Sequence, residues 1–489
     1  MVSMIATVEI EKAGRIVVPK RLRGVSYPLL ALALASLGSA SSLHAAGPAT
    51  QSITIDAAKV TGVITRLNDV DNGPLCQHGI VDLSRYYKQL GVRNVRLHDV
   101  PWSYDDVLDI EYIFPDWNAD PDRAESYNFV QSDFYIKTIT DLGINIIFRL
   151  GFSAEGITST PHNIPPPSYD RWVAVAEHIV RHYNQGWANG PHANIKYWEI
   201  WNEPDGSGFW SGTPEQYYRL YEVTATALKK LDNSLYVGGP AIAGNQSFLE
   251  GFIKYARQRN LDIDFVSWHI YTRNPADVID RGEMIHRMMA QYGYAGAQSI
   301  LDEWNFGPLD WQPLFVDADA TRTYFDSTQN ATGAAFDAAF LMALEDAHVD
   351  IATFYTGTSA IWGLFTASGV PQKPYYAFLA FSDLLRSPNR LAQTSPTTSP
   401  VRVIAGIADD RQTIRIFISN PSNEAQALRF DLIGLPSDGP MEYRERLIDS
   451  QSDFVPVGGS VKIRDSTLEQ NIGPHSVILL TISPQQNPG

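Results

Sequence analysis

Two glutamates stand where an apolar run stops. The segment Tyr197-Trp198-Glu199-Ile200-Trp201-Asn202-Glu203-Pro204 closes on Asn-Glu-Pro, and Ser299-Ile300-Leu301-Asp302-Glu303-Trp304-Asn305 closes on a carboxylate beside an aromatic. Pro204 has no N–H for a strand ladder, so the first run must end there and leave Glu203 at its tip. Two carboxyl groups facing each other across one opening can serve as proton donor and nucleophile at a glycosidic bond. A gap of about 5–5.5 Å gives retention through a covalent intermediate, whereas a wider gap admits a water and gives inversion. Asp302 and Glu199 are weaker candidates: alternation reads them as facing away from the side shared by Glu303 and Glu203.

Other residues able to orient or bind substrate also fall at the ends of apolar runs. They are Arg96 and His98, then Arg149 and Phe152, then His269 and Tyr271. Arg, His and Tyr at such points can steady a nucleophile or grip hydroxyls, and Asn202 can donate to a substrate hydroxyl. Phe152, Trp304 and Trp362 are candidates for stacking on a sugar ring.

These residues need a scaffold that gathers strand ends. Short apolar runs begin near Val60, Asn94, Asn145, Tyr197, Tyr236, Phe265, Ser299 and Asp350, with amphipathic stretches between many of them. Asp82 to Leu90 and Phe134 to Leu142 each stop at a glycine, Gly91 and Gly143, as helices do before the next strand. Tyr169 to Tyr183 lines up Trp172, Ala176, Ile179 and Tyr183 on one stripe. Eight such units predict a (β/α)8 TIM barrel over residues 60–386, with its chemistry at the C-terminal ends of the strands. Strands four and seven then carry Glu203 and Glu303.

After Leu385 the pattern changes. Ser387 to Pro400 is rich in Ser, Thr and Pro and reads as a linker or loop. Residues 390–489 alternate polar and apolar positions between turn signals, which predicts an accessory all-β sandwich. The early run at about 51–58, Ile53-Thr54-Ile55, is expected to join it.

Composition excludes several classes. The formal charge of −16 over 489 residues disfavours nucleic acid as a partner. The single cysteine, Cys76, cannot form an intramolecular disulfide. No His-Glu-x-x-His, Gly-x-Ser-x-Gly or P-loop element is present, so the reading includes no metal and no cofactor. Lys20, Arg21 and Arg23 precede the apolar run Pro28 to Ala35 and small residues to Ala46, the order of a secretory signal over 25–46. The mature chain is therefore expected to be exported, periplasmic or extracellular, and free of the membrane. Residues 1–24 form a doubtful extension: Ala6 to Arg23 is similar to the opening hairpin of swapped-hairpin DNA-binding regulators, half of such a domain.

The ordered set of motifs resembles the clan A retaining glycosidases, and within them glycoside hydrolase family 39. It comprises Val95-Arg96-Leu97-His98, Pro165 to Trp172, Glu199 to Pro204, Val237-Gly238-Gly239-Pro240-Ala241, Asp264 to Tyr271, Asp302 to Asn305 and Lys373 to Phe378. The resemblance implies Glu203 as acid/base, Glu303 as nucleophile, and Asn202, His98 and Tyr271 as sugar contacts. It also implies a β-sandwich beside the barrel and a carbohydrate substrate, with exo action on β-xylosides first and α-L-iduronidase-like or other sugars as alternatives. The segment Phe354 to Trp362 departs from the β-xylosidase pattern, and the segment after Tyr271 is short. An inactive carbohydrate-binding protein is the rival class. The intact glutamate pair argues against it, since binding alone needs none.

Overall fold

The computed structural model describes residues 50–100, 107–153, 163–396, 398–437, 440–463 and 465–485. The extension at 1–24 and the signal at 25–46 lie outside the described residues.

Eight parallel strands close into a barrel. In chain order they are β1 (Asp69–Asp71), β2 (Asn94–Leu97), β3 (Asn145–Leu150), β4 (Tyr197–Ile200), β5 (Tyr236–Ile242), β6 (Phe265–Thr272), β7 (Gln298–Phe306) and β8 (Ile351–Phe354). Helices return the chain between most of them, and their ends follow local chemistry. Helix Tyr169–Gln185 starts where the Ser168 hydroxyl accepts from the Arg171 N–H, and stops at Gly186 in the left-handed region. Helix Ser84–Leu90 stops in the same way at Gly91. Helix Pro214–Leu231 starts with a reciprocal Thr213–Gln216 cap and a proline in its first turn.

The inside of the barrel is layered. Ile147, Tyr197, Phe265, Ile300 and Ile351 form an apolar floor. Two residues further along the same strands come Arg149, Glu199, Ser267, Asp302 and Thr353, all buried. Side chains two apart share a face, so this second layer points inward above the floor. His269, two beyond Ser267, opens the third layer. Arg96 on β2 lies among these groups.

Strand positions depart from the sequence reading in two places. The run at Val60 is not a barrel strand. It ends a long strand, Gln51–Val63, that pairs antiparallel with Asn389–Thr394 and parallel with Gln426–Ile433. The first barrel strand is β1, three residues long and too short to show a period. The stretch read as a linker contains the strand Asn389–Thr394, in which Leu391 alone is buried. Its polar composition suits a strand with most of its side chains at the surface.

The C-terminal strands and Gln51–Val63 form one nine-stranded, continuously hydrogen-bonded sheet. A single buried cluster joins Ile53, Leu428, Phe430 and Leu468 near one end of the strand order to Ile416, Met441, Ile478 and Leu480 nearer the other. The sheet therefore folds over itself and builds the two layers of a sandwich from one ladder.

Helix Ala331–Leu344, sequence ATGAAFDAAFLMAL, ties the two parts together. Every residue in it but Thr332 is buried. It is apolar on all sides because it has neighbours on all sides. Phe340 stacks on Trp304 of β7 with ring centroids 4.3 Å apart, while the Ala335 carbonyl accepts from the Ser419 hydroxyl at 2.6 Å. Among the described residues no helix is long and apolar enough to cross a membrane.

One carboxyl interrupts this helix. Asp337 is 1% exposed and its Oδ1 has no hydrogen-bond partner. Burial pushes its carboxyl well above the usual carboxylate range. The folded state then holds a proton that the unfolded state releases above about pH 4, so Asp337 costs stability increasingly as pH rises. Asp337→Asn should gain more than about 1 kcal/mol on the wild type between pH 4 and 8. Urea denaturation across that range checks this, and parallel stability curves would contradict it.

Candidate active site

The chain leaves β4 through two residues in the left-handed region, Trp201 (φ 73°) and Glu203 (φ 45°). Neither is glycine, so the turn costs backbone energy that its contacts must offset. Those contacts are the Trp201 N–H on the Leu150 carbonyl at 2.8 Å, the Glu203 N–H on the Ala241 carbonyl at 2.9 Å, and the Trp201 indole N–H on the Phe209 carbonyl at 2.9 Å. Asp205 adds a clasp, accepting from the backbone N–H groups of Ala243, Gly244 and Asn245. The loop is thereby fastened to β3 and β5, and Glu203 faces across to β7.

On β7 the register with β6 shifts between Leu301 and Glu303, so Leu301 pairs with Trp268 but Glu303 with His269. This bulge turns two successive carboxylates, Asp302 and Glu303, toward the barrel axis. It also corrects the alternation argument for Asp302; Glu199, four residues before Glu203, shares that residue's face by alternation itself. Asp302 and Glu199 do not face away; they lie buried beneath the glutamate pair, against Arg96. Trp304 does turn away. It is fully buried between Phe340 and Phe378 on the outside of the strand and cannot reach a sugar.

Arg96 is the centre of the constellation. Its Nε donates to Glu199 at 2.7 Å and lies 3.1 Å from Asp302, one terminal nitrogen reaches Glu303 at 3.1 Å and Asp71 at 3.4 Å, and the other donates to the Asn202 carbonyl at 2.6 Å. That last bond fixes the Asn202 amide, so its NH2 group, buried and without a hydrogen-bond partner, is left to donate to a ligand. Tyr271 donates to the other oxygen of Glu303 at 2.6 Å. His269 places Nδ1 2.8 Å from Glu203 and 3.7 Å from Glu303. One oxygen from each glutamate and a nitrogen of His269 lie within 4.8 Å of one another.

The protonation pattern follows from burial and neighbours. Burial, reinforced by the charge of Glu303, raises the Glu203 carboxyl above its ordinary value even though His269 pulls it down. Burial also pushes Glu199 up to about 8, and Asp71 well above the carboxylate range. Asp302 behaves oppositely. Burial opposes its charge, but Arg96 and His269 outweigh that and hold it down at about 2. Burial opposes the His269 cation too, but Glu303 and Asp302 raise it well above its usual range. His98 is kept neutral by burial and by nearby Arg149 and Arg96.

The remaining expected residues spread around the mouth. His98 Nε2 lies 3.3 Å from Asp99, which accepts from the Tyr355 hydroxyl at 3.2 Å. Phe152 packs edge-on against Trp172 and Trp201. Trp362 stands 5.8 Å from Tyr271 and 6.0 Å from Trp311, ring to ring. The sequence reading passed over Asp71, whose strand is too short for a pattern, and Trp311, which lies outside any strand.

Known proteins resemble the chain as a whole. The family model described as "Glycosyl hydrolases family 39" matches residues 75–410. A β-xylosidase of Geobacillus stearothermophilus is 26% identical over 335 residues, covering 61% of this chain and 63% of that protein. A β-xylosidase of Caldicellulosiruptor saccharolyticus is 27% identical over 388 residues, covering 71% and 77%. The chain thus spans less than two thirds of the first of these relatives. Among solved structures, a glucosidase from Croceicoccus marinus superposes with a TM-score of 0.71 at 26% identity, over 89% of this chain and all of that one. A monomeric β-xylosidase from Caulobacter crescentus shares the fold, with a TM-score of 0.68 at 18% identity over 89% of this chain and all of that one.

Arg96→Lys tests the constellation. One ammonium cannot reach Glu199, Asp302, Glu303 and Asn202 together. The variant should lose about 3 kcal/mol or more, because buried carboxylates lose their partner. Urea denaturation at neutral pH measures it, and wild-type stability would show that the network carries no load.

Proposed function

Because the chain belongs to glycosyl hydrolases family 39, we propose that it cleaves β-glycosidic bonds with retention, by double displacement. In this reading Glu203 donates a proton to the leaving oxygen while Glu303 attacks the anomeric carbon. Glu203, then ionised, takes a proton from the water that releases the sugar. The observation that carries the reading is the closeness of the two carboxyl groups. Oxygens within 4.8 Å suit direct attack and leave too little room for the water of an inverting enzyme.

The surroundings support the division of roles. Glu303 accepts from the Arg96 guanidinium and the Tyr271 hydroxyl, which hold both of its oxygens in place for attack. Glu203 has its carboxyl raised by burial and by the charge of Glu303, which suits a donor near neutral pH. The free Asn202 amide and His98 are placed to grip sugar hydroxyls.

The sugar is read from the relatives. Two β-xylosidases make an exo-acting β-xylosidase the leading activity. The glucosidase with 26% identity over its full length supports glucosides as the second reading. The order of basic, apolar and small residues from Lys20 to Ala46 supports export to the periplasm or the medium.

Three measurements check the chemistry. A proton NMR time course on a β-xyloside should show the β-anomer first, and an α-anomer first would overturn retention. Glu303→Ala should abolish turnover of every substrate. Glu203→Ala should spare dinitrophenyl glycosides relative to alkyl glycosides, and added azide should restore turnover with formation of a β-glycosyl azide.

A further inference from the structure

His269 lies between carboxyl groups on both sides. Its Nδ1 is 2.8 Å from Glu203 Oε1, and its Nε2 is 3.6 Å from Asp302 Oδ1. The side chain is 1% exposed and that of Asp302 is fully buried. Nε2 and Asp302 Oδ1 have no hydrogen-bond partner within normal distance, and they face each other at 3.6 Å. We infer that Asp302 is a positioning residue: it keeps His269 protonated on both nitrogens, so that the Glu203 proton stays directed at the leaving oxygen.

The argument runs through the ring's possible proton placements. Suppose Nδ1 carried a lone pair. At 2.8 Å it would accept the Glu203 proton, and the acid would point away from its substrate. Nδ1 must therefore carry hydrogen and donate to Glu203. A neutral ring would then turn the Nε2 lone pair toward the Asp302 carboxylate. Two lone pairs facing each other in a dry site repel, so Nε2 must carry hydrogen as well. The ring that meets both conditions is the imidazolium.

Asp302 can hold this position because its charge is secured from behind. Its Oδ2 lies 3.1 Å from Arg96 Nε. Glu199, the neighbouring buried acid, carries the proton that Asp302 lacks, being pushed up to about 8 while Asp302 is held at about 2. The other groups facing His269 are Glu303, 3.7 Å from Nδ1, and the guanidinium of Arg281, which donates to the His269 carbonyl at 2.9 Å. His98 also lies nearby and is kept neutral by burial. The charges of Glu303 and Asp302 favour that of the ring, while Glu203 holds its proton.

This inference rests on Glu203 being the acid/base, and the experiment separates the two ideas. Asp302→Asn keeps the shape and removes the charge. It is compared with the wild type and with Glu203→Ala on two glycosides of one sugar that the wild type hydrolyses, one alkyl and one dinitrophenyl. Asp302→Asn should lose about 10²-fold in kcat/KM on the alkyl glycoside and less than about fivefold on the dinitrophenyl one. Its alkaline limb on the alkyl glycoside should move to lower pH, because a neutral His269 captures the Glu203 proton. Equal losses on both glycosides would overturn the inference. If Glu203→Ala itself shows no dependence on the leaving group, the acid/base assignment fails instead, and with it the inference. A second measurement needs no folded variant: nitrogen-15 NMR of histidine-labelled wild type should show both ring nitrogens of His269 protonated at pH 7, and a neutral ring there would refute the proposal.

Discussion

One buried guanidinium sets the terms for the rest of the site. Arg96 lies above an apolar floor where water cannot balance its charge, and a lone cation there would be prohibitively costly. It is tolerated because β1, β4 and β7 each bring a carboxyl group to it, and because its planar fork can serve several of them at once. The same bonds place Glu303 and fix the Asn202 amide. Two of the surrounding acids, Asp71 and Glu199, retain their protons. Arg96 and His269 are then matched by Asp302 and Glu303.

The glutamate pair was readable because the signal was local: an apolar run, a carboxylate, and a residue that halts the strand. What lay beneath it was not. Strict alternation fails at the β7 bulge, which inserts an extra inward residue. Asp302 was therefore set aside. Trp304 was offered as an aromatic near the mouth, but as the residue after Glu303 it takes the other face and packs behind the strand. The positive φ angles at Trp201 and Glu203 break the pattern in the same way after β4. β1 is too short to announce itself, and the polar strand Asn389–Thr394 looks like loop because most of its side chains meet solvent. Periodicity reads regular backbone, and this site is built where the backbone stops being regular.

The helix Ala331–Leu344 makes barrel and sandwich one packing unit. Its Phe340 backs Trp304, the residue next to Glu303, while its Ala335 carbonyl is held by the sandwich. The bulge that aims Glu303 is thus braced from outside by an element whose other face belongs to the C-terminal sheet. Among the described residues the sheet contributes no side chain to the site, yet it forms the wall against which β7 is set.

The pairing of two cations with two anions has a consequence for turnover. In the proposed double displacement, Glu303 loses its charge when it becomes an ester. In the same step Glu203 gains one by giving up its proton. The protein groups of the buried ensemble therefore carry the same total charge before and after the glycosyl enzyme forms. Negative charge is relocated from β7 to the end of β4, with Arg96 anchoring one end of the path and His269 standing between the two. No counter-ion has to enter or leave between the half-reactions. A dry, rigid interior can thus host a chemistry in which charge moves without having to resolvate.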